Sequence, residues 1–427
     1  MTPAQECLLR GILDSSVSNG DALATQTVGI RDGANLDSFS RLRVSNPSGL
    51  WQAQMTYNIP SLAYESIVTG ANAAIAHDAT NRSSVHTFSN TLTGGKAYLQ
   101  SYEYIPYQPG KSQLALITFN FIEPAANTLK FAGLSDGVNG IEIQQYGAVV
   151  QAVLYSGTGN GNQVVPQSSW NIDKLDGNGP SGITLDLTNT QIFVIDFQAL
   201  YAGRVRIGFD IDGSIVYVHQ FLHANRIVHP YIAEATLPVR CGMTCNGTSS
   251  TTMRFICAAV ISEGGQEDAG ALHFTVEGTG TAGNNTPVHI LSLRPKTLFN
   301  DFKNRVKLIL ESIDYVVTGN TSVKFETCIG QAISGNTGFL NVNLAYSAFE
   351  YNVLGTVSGS PGIVFSTAFC AASASVKSSV AKTLSSKYPI SLDAAGAQRA
   401  LGTISIIATG LGATSACRAT LNFKEIR

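Results

Sequence analysis

From Gln191 to Leu222 the chain alternates apolar and polar residues with a period of two. Phe193, Ile195 and Phe197 fall on one face of a first segment, and Val205, Ile207, Phe209 and Ile211 then alternate with Arg204, Arg206, Gly208 and Asp210. That period is the mark of a strand with one buried face. Asp212-Gly213 follows, a dipeptide that tolerates positive φ at both central positions of a tight hairpin turn, and Ile215, Tyr217, His219 and Phe221 resume the alternation. A meander of three antiparallel strands is thus specified locally, with Phe193, Ile195, Val205, Ile207 and Phe209 predicted to share one core.

The same pattern recurs at short spacing on both sides. Upstream, strands are predicted over 49–57, 84–88, 97–105, 113–122, 128–134, 140–145 and 148–155, separated by turn signals such as Pro109-Gly110 and Asn139-Gly140. Pro230 to Arg240 and Thr251 to Ile261 read as two more strands of the same unit. Ser262 to Gly270, SEGGQEDAG, breaks the pattern with small, acidic and Gly-rich composition and reads as a linker. Beyond it, strands are predicted over 272–277, 288–293, 305–317, 322–329, 339–342, 348–353, 362–368, 401–408 and 416–423, while Val376 to Ser386 reads as a helical turn or a loop. No repeat of 20 to 50 residues is present, which argues against a propeller or solenoid. The expected fold is all-β: two antiparallel, jelly-roll-like β-sandwich domains, 47–262 and 271–427, joined by residues 263–270.

Residues 1–46 lack this pattern. Gln5 to Leu13 is suited to a short helix, but the following stretch is polar and rich in Gly, Asn and Asp, so it is expected to form an extended N-terminal arm that gains order by lying on something else. It leads into a segment where Leu42 and Val44 alternate with Arg41 and Arg43. The two arginines are candidate assembly contacts, reaching carboxylates or carbonyls of a neighbouring subunit.

Composition narrows the function classes. Only 13% of the 427 residues are charged, against about a quarter in ordinary globular chains, and 41 glycines accompany many Ser, Thr and Asn. The net charge is -2, and no Lys/Arg run exists that would track a phosphate backbone, so nucleic acid is not an expected partner. No stretch approaches the roughly 18 apolar residues of a membrane span, and the first residues do not form a signal peptide, so neither a membrane nor ordinary export is expected. The seven cysteines are odd in number and scattered, as expected of reduced thiols in a protein assembled in a cytoplasm. Cys241 and Cys245 have metal-ligand spacing, but no second Cys/His pair follows at finger-like spacing.

Chemistry is sparse. His219, His223 and His229 lie close in sequence, but one belongs to a strand and two flank a loop, and they are read as structural. Asp210 and Asp212 are accounted for by turn chemistry, and Asp196, set among apolar residues, is expected to pair with Arg204 or Arg206 on the next strand. A glycosidase needs two carboxyl groups facing each other across the sugar bond, and a glutamate pair alternating on one strand would announce it; none is seen. The glycine-rich stretch Gly157 to Asn162 lacks the Gly-Lys-Ser/Thr ending of a phosphate loop. With no nucleophile, zinc or nucleotide motif, no enzymatic activity, no cofactor and no metal are expected. The hairpin FDIDGSIVYV resembles that of lectin-like and laminin-G-like sandwiches, which implies glycan binding, with Trp51, Tyr57, Tyr155 and Trp170 as candidate stacking platforms.

Three phrases together point to a broader group: Asp37 to Pro47 (DSFSRLRVSNP), Tyr107 to Ser112 (YQPGKS), and the hairpin with its sequel His219 to Asn225 (HQFLHAN). They are similar to segments of virion structural proteins of tailed phages and large DNA viruses, and the ending ATLNFKEIR resembles the closing strand of such proteins. The resemblance implies a virion subunit assembled in the host cytoplasm: a capsid-associated decoration or minor capsid protein packing against copies of itself, a trimer among the expected states, and against the major capsid protein. The alternative is a tail, fibre or spike protein that binds host-surface glycan.

Overall fold

Asp212 and Gly213 have φ of 53° and 82° and form the predicted two-residue hairpin turn, but a bulge opposite Ile207 and Gly208 breaks the expected alternation of the returning strand: Val216 rather than Ile215 lies opposite Phe209, Val218 and Phe221 join the core, and Tyr217 turns to Asp196 on the other face. Phe193, Ile195, Val205, Ile207 and Phe209 are all fully buried in one cluster. The computed structural model describes residues 33–44, 46–198, 200–265, 270–335, 338–359, 362–379 and 388–427; the Gln5–Leu13 helix, Cys7 and most of the expected arm lie outside them. Among the described residues the fold is all-β, the helical elements being single 3-10 turns such as Gln167–Ser169 and Ala400–Gly402.

The first unit contains β1 Pro47–Gln54, β2 Tyr64–Thr69, β3 Ala73–Asp78, β4 Ser83–Thr91, β5 Lys96–Ser101, β6 Ser112–Asn120, β7 Thr128–Ser135 and β8 Gly140–Tyr146. It continues with β9 Val149–Tyr155, β10 Gln163–Pro166, β11 Gln191–Gln198, β12 Val205–Ile211, β13 Ser214–Phe221, β14 Val239–Cys245 and β15 Ser249–Glu263. Two antiparallel sheets result. One has eight strands in the order β13-β12-β11-β6-β15-β4-β3 with β1 also on β15; the other has seven in the order β10-β9-β8-β7-β14-β5-β2. Their inner faces enclose a core that includes Phe119, Phe193, Phe209, Met243 and Phe255.

The second unit is a ten-stranded sheet whose longest members are Leu272–Asn284, Lys307–Val317 and Ser415–Ile426. A short parallel contact at Gly283 and Asn284 with Thr409 and Gly410 joins its two antiparallel parts. These face each other through Tyr315 stacked on Phe325, with ring centroids 4.6 Å apart, and Phe349 edge-on to Phe423. The core of this unit is a separate cluster containing Leu291, Tyr315, Phe325, Leu421 and Phe423.

Four local expectations are corrected. Pro230 to Pro238 is not a strand: Tyr231, Ile232, Ala235 and Leu237 are buried, but the chain crosses the end of the sandwich irregularly before β14 begins. Ser375–Ser379 is a strand paired with Lys307–Val317 rather than a helical turn, while 380–387 lies outside the described residues. The linker begins one residue late, because Glu263 still pairs with Pro47 and Ser112. Finally, 33–44 is no loose end of an arm. Leu36, Asp37 and Ser38 are buried against their own sandwich, and the arginine alternation is inverted, with Leu42 and Val44 exposed and Arg43 turned inward.

The two units meet at the three consecutive residues that follow β5. Arg399 stacks over Tyr102 at 3.5 Å, Lys307 pairs with buried Glu103, and Arg305 lies 4.0 Å above Tyr104. The Ala394 N–H donates to Glu65 Oε2 at 2.8 Å. Each of Tyr102, Glu103 and Tyr104 thus receives one cation from the second unit.

Candidate functional site

The register of the eight-stranded sheet sets out its outer face in rows. Asp210, Ile192, Thr118, Cys257 and Gln54 stand side by side across β12, β11, β6, β15 and β1. The next row is Gly208, Val194, Leu116, Ala259 and Gln52, and a third is Arg206, Asp196, Leu114, Ile261 and Gly49. Small or short side chains occupy much of the first two rows, so this face is hollow. Gly208 is required there for a second reason: a Cβ would lie 2.3 Å from the Val216 carbonyl oxygen of β13.

Over those two rows lies a groove of about 890 Å³, whose lining also takes in Pro60, Leu62 and Ala63 and, from the second unit, Tyr388. This is in the size range of small-molecule sites, roughly 300–1,000 Å³. Its polar groups are the amides of Gln52 and Gln54, the Thr118 hydroxyl and the Asp210 carboxylate. Asp210 also accepts the Gly213 N–H at 3.0 Å, which fixes its side chain at the base of the hairpin turn. The Cys257 thiol lies 3.4 Å from Thr118 Oγ1. Amides that both donate and accept, beside one carboxylate acceptor and an apolar floor, suit a neutral ligand rich in hydroxyls. Among the described residues Asp210 is the single acid lining the groove, and they do not assemble two facing carboxyl groups there.

The third row is closed. Asp196 is completely buried, and its Oδ2 accepts from Arg206, Arg43 and Tyr217 Oη, each at 2.6 Å. Oδ1 accepts from Ser38 Oγ at 2.6 Å and Ser112 Oγ at 3.0 Å. Arg43 also reaches Glu263 at 2.5 Å, and Lys111 Nζ donates to the carbonyls of Gly264 and Gly265. Burial, and next the Asp196 charge, push the Tyr217 phenol far up, while burial raises Glu263 against the opposing pull of Arg43. The expected pairing of Asp196 falls to Arg206; Arg204 donates instead to the Ser38 carbonyl at 3.1 Å. Arg43 is therefore engaged within its own chain, which corrects its expected reach to a neighbour. Arg41 is half-exposed, pairs with Asp37 at 2.7 Å and lies over Phe39.

The candidate stacking residues do not converge. Trp51 and Trp170 are in the first core, where no sugar ring reaches them, and Tyr57 is exposed but lines no part of the groove. Tyr155 is on the opposite sheet, where its hydroxyl accepts from Gln144 at 2.7 Å. Gln144 also donates to Glu142 at 2.6 Å, and Arg240 lies between Tyr98 and Phe131 at 4.2 and 4.8 Å. Burial raises the fully buried Glu142 carboxyl, with Arg240 opposing it. This closed polar cluster was announced in the sequence by Glu142 and Gln144 alternating with Ile141 and Ile143, a signal the search for paired glutamates passed over.

The histidines stand apart. His219 Nδ1 accepts the Asn171 N–H at 3.3 Å, His223 stacks on Tyr231 and bonds the Gly203 carbonyl at 2.7 Å, and His229 is exposed. Among the described residues no three His, Cys, Asp or Glu side chains are grouped to hold a metal, and the six described cysteines are free thiols, five of them buried. No helix among the described residues is long and apolar enough to cross a membrane.

No family model and no curated protein matches the chain. Among solved structures it is similar to a carbohydrate esterase from the Shiga toxin-encoding bacteriophage phi24B, at 12% identity and a TM-score of 0.31, over 51% of this chain and 99% of that one. It is similar to a β-glucanase of Bacillus licheniformis at 13% identity and a TM-score of 0.31, over 50% of this chain and 98% of the other. An endo-β-1,3-glucanase of Pyrococcus furiosus matches at 9% identity and a TM-score of 0.35, over 55% of this chain and 98% of that one. Likeness at this level assigns no chemistry to the groove. The three proteins named are nevertheless enzymes, and the expectation of a chain without enzymatic activity, which stood on missing motifs alone, is withdrawn.

Proposed function

We propose that this chain is a β-sandwich subunit of a virus particle that binds an extended glycan in the groove over β12, β11, β6, β15 and β1. The groove carries the reading: it is open, hollow and lined by amides, a hydroxyl and one carboxylate over a floor of small apolar groups. A sugar presents the complementary surface, with hydroxyls around its edge and C–H groups on its faces. Each polar lining group then finds a partner on binding, and none is left desolvated and unpaired.

The virion part of the proposal rests on the resemblance of three phrases, and their positions lend it support. Asp37 to Arg43, Lys111-Ser112 and the hairpin all contribute to the closed row around Asp196. In this fold they come together as one latch beside the groove. A capsid-side role is favoured by a different observation: Leu298, Phe302, Leu344 and Tyr346 of the second unit are exposed, as apolar residues that pack against other virion proteins would be.

Glycan arrays and calorimetric titration on the full chain test the binding, with reducing-end and acyl-release assays on the same samples to read any turnover. Saturable binding of a polysaccharide is the expected result; no binding across neutral and acidic glycans would refute the glycan reading. Quantitative mass spectrometry of purified particles tests the virion reading, which fails if the chain is absent from them.

A further inference from the structure

We infer that Tyr388 is the aromatic platform for a sugar ring in the groove, and that Arg399 is the positioning residue that delivers it across the boundary between the two units. This deepens the glycan reading and rests on it.

Among the described residues Tyr388 is the aromatic side chain lining the groove, and it comes from the second unit while the other described lining residues belong to the first. One side of its ring is taken: Phe365 stacks on it at 5.9 Å with an interplanar angle of 21°. An aromatic ring backed by another and lining a polar cleft is a rigid surface for the apolar face of a pyranose. The residues just after it are fixed in place. Ile390 and Leu392 are buried, and the Arg399 guanidinium, flat on Tyr102 of the first unit, donates to the Pro389 carbonyl and to Ser391 Oγ, both at 3.3 Å. Arg305 holds the far side of the same loop through the carbonyls of Asp393 and Ala394. The contact that joins the units therefore also sets the position of the ring, and the groove is complete only when the second unit is docked. Lysine cannot replace Arg399, because both bonds leave one nitrogen, Nη1, while the guanidinium carbon sits 3.5 Å over Tyr102, and a single compact ammonium cannot occupy both places.

The test uses the full chain and the polysaccharide that binds the parent best. Tyr388→Ala is expected to weaken binding about tenfold or more, the scale of one lost ring contact with its buried area, whereas Tyr388→Phe and Tyr388→Trp retain it. Both native tryptophans are in the first core, so in Tyr388→Trp the added emission reports the groove and is expected to shift on glycan addition. Arg399→Lys should weaken binding with unchanged circular dichroism. A parent that binds while Tyr388→Ala binds equally well, or a Tyr388→Trp emission indifferent to saturating glycan, overturns this inference and leaves the glycan reading standing. A parent that binds no glycan overturns both.

Discussion

Asp196→Asn removes one charge from the most enclosed polar group of the latch and leaves the shape of the side chain unchanged. In the native fold this carboxylate faces two guanidinium groups, and Arg206 is itself only 2% exposed. Without the negative charge, Arg206 remains buried with its compensation gone, and the Asn amide group turns donors towards donors. Breaking a buried pair by removing one partner costs about 3–5 kcal/mol, a large share of the roughly 5–15 kcal/mol that stabilises a typical domain. The readout is specific, because Trp51 and Trp170 both belong to the first core and their fluorescence in urea follows that unit alone. A second readout comes from trypsin. Arg41 and Arg43 lie in a segment held down by Ser38 and Arg43 on Asp196, so cleavage there should be slow in the parent and fast in the variant. A variant within about 1 kcal/mol of the parent and equally resistant to trypsin would show that the latch does not hold residues 36–43.

Other predictions follow from burial. Phe209→Ala should cost about 3–5 kcal/mol in the same urea experiment, and a loss below about 1 kcal/mol would refute the assigned core face. The imidazoles of His86, His219 and His289 are each pushed down to about 4 by burial. Above an unfolded value near 6.5 both states are neutral; as pH falls below it the unfolded chain takes up protons first, so stability declines until about pH 4, by about 3 kcal/mol for fully buried His86 and less for the other two. Urea midpoints that do not change between pH 6.5 and 5 would contradict this, and His86→Gln should flatten the slope.

The parts of the fold legible in sequence are those whose information is local. The hairpin at Asp212-Gly213 carries its turn residues and the alternation of its first strand within about twenty positions, whereas the bulge that shifts the returning strand has no mark in the sequence. Where burial and alternation point different ways the reading failed. Arg41 to Val44 looks like a strand with Leu42 and Val44 inside, but a buried carboxylate 153 positions away draws Arg43 inward and leaves the aliphatic residues in solvent. Tyr231 to Leu237 is apolar and buried without being a strand. β2, β3 and β10 went unread because they are short and partly exposed, with weak contrast between their faces. The groove was illegible for a different reason: its first row draws one residue from each of five strands, and of the adjacent pairs in that row only β11 and β12 are consecutive in sequence. Trp51 and Trp170 looked like platforms by residue type alone, whereas Tyr388, in a stretch without strand pattern, reaches the groove through contacts between the two units.

The central claim is that ligand occupies the outer face of the eight-stranded sheet, and Ala259→Trp tests it most directly. Ala259 sits on the floor of the groove between Leu116 and Gln52, with its side chain away from the core, so an indole there fills the cleft while the sandwich stays folded. In affinity electrophoresis against the polysaccharide that retards the parent, the account predicts that Ala259→Trp migrates as though no glycan were present, with an unchanged circular dichroism spectrum. Retardation of the variant equal to that of the parent would place the binding site elsewhere and contradict the account.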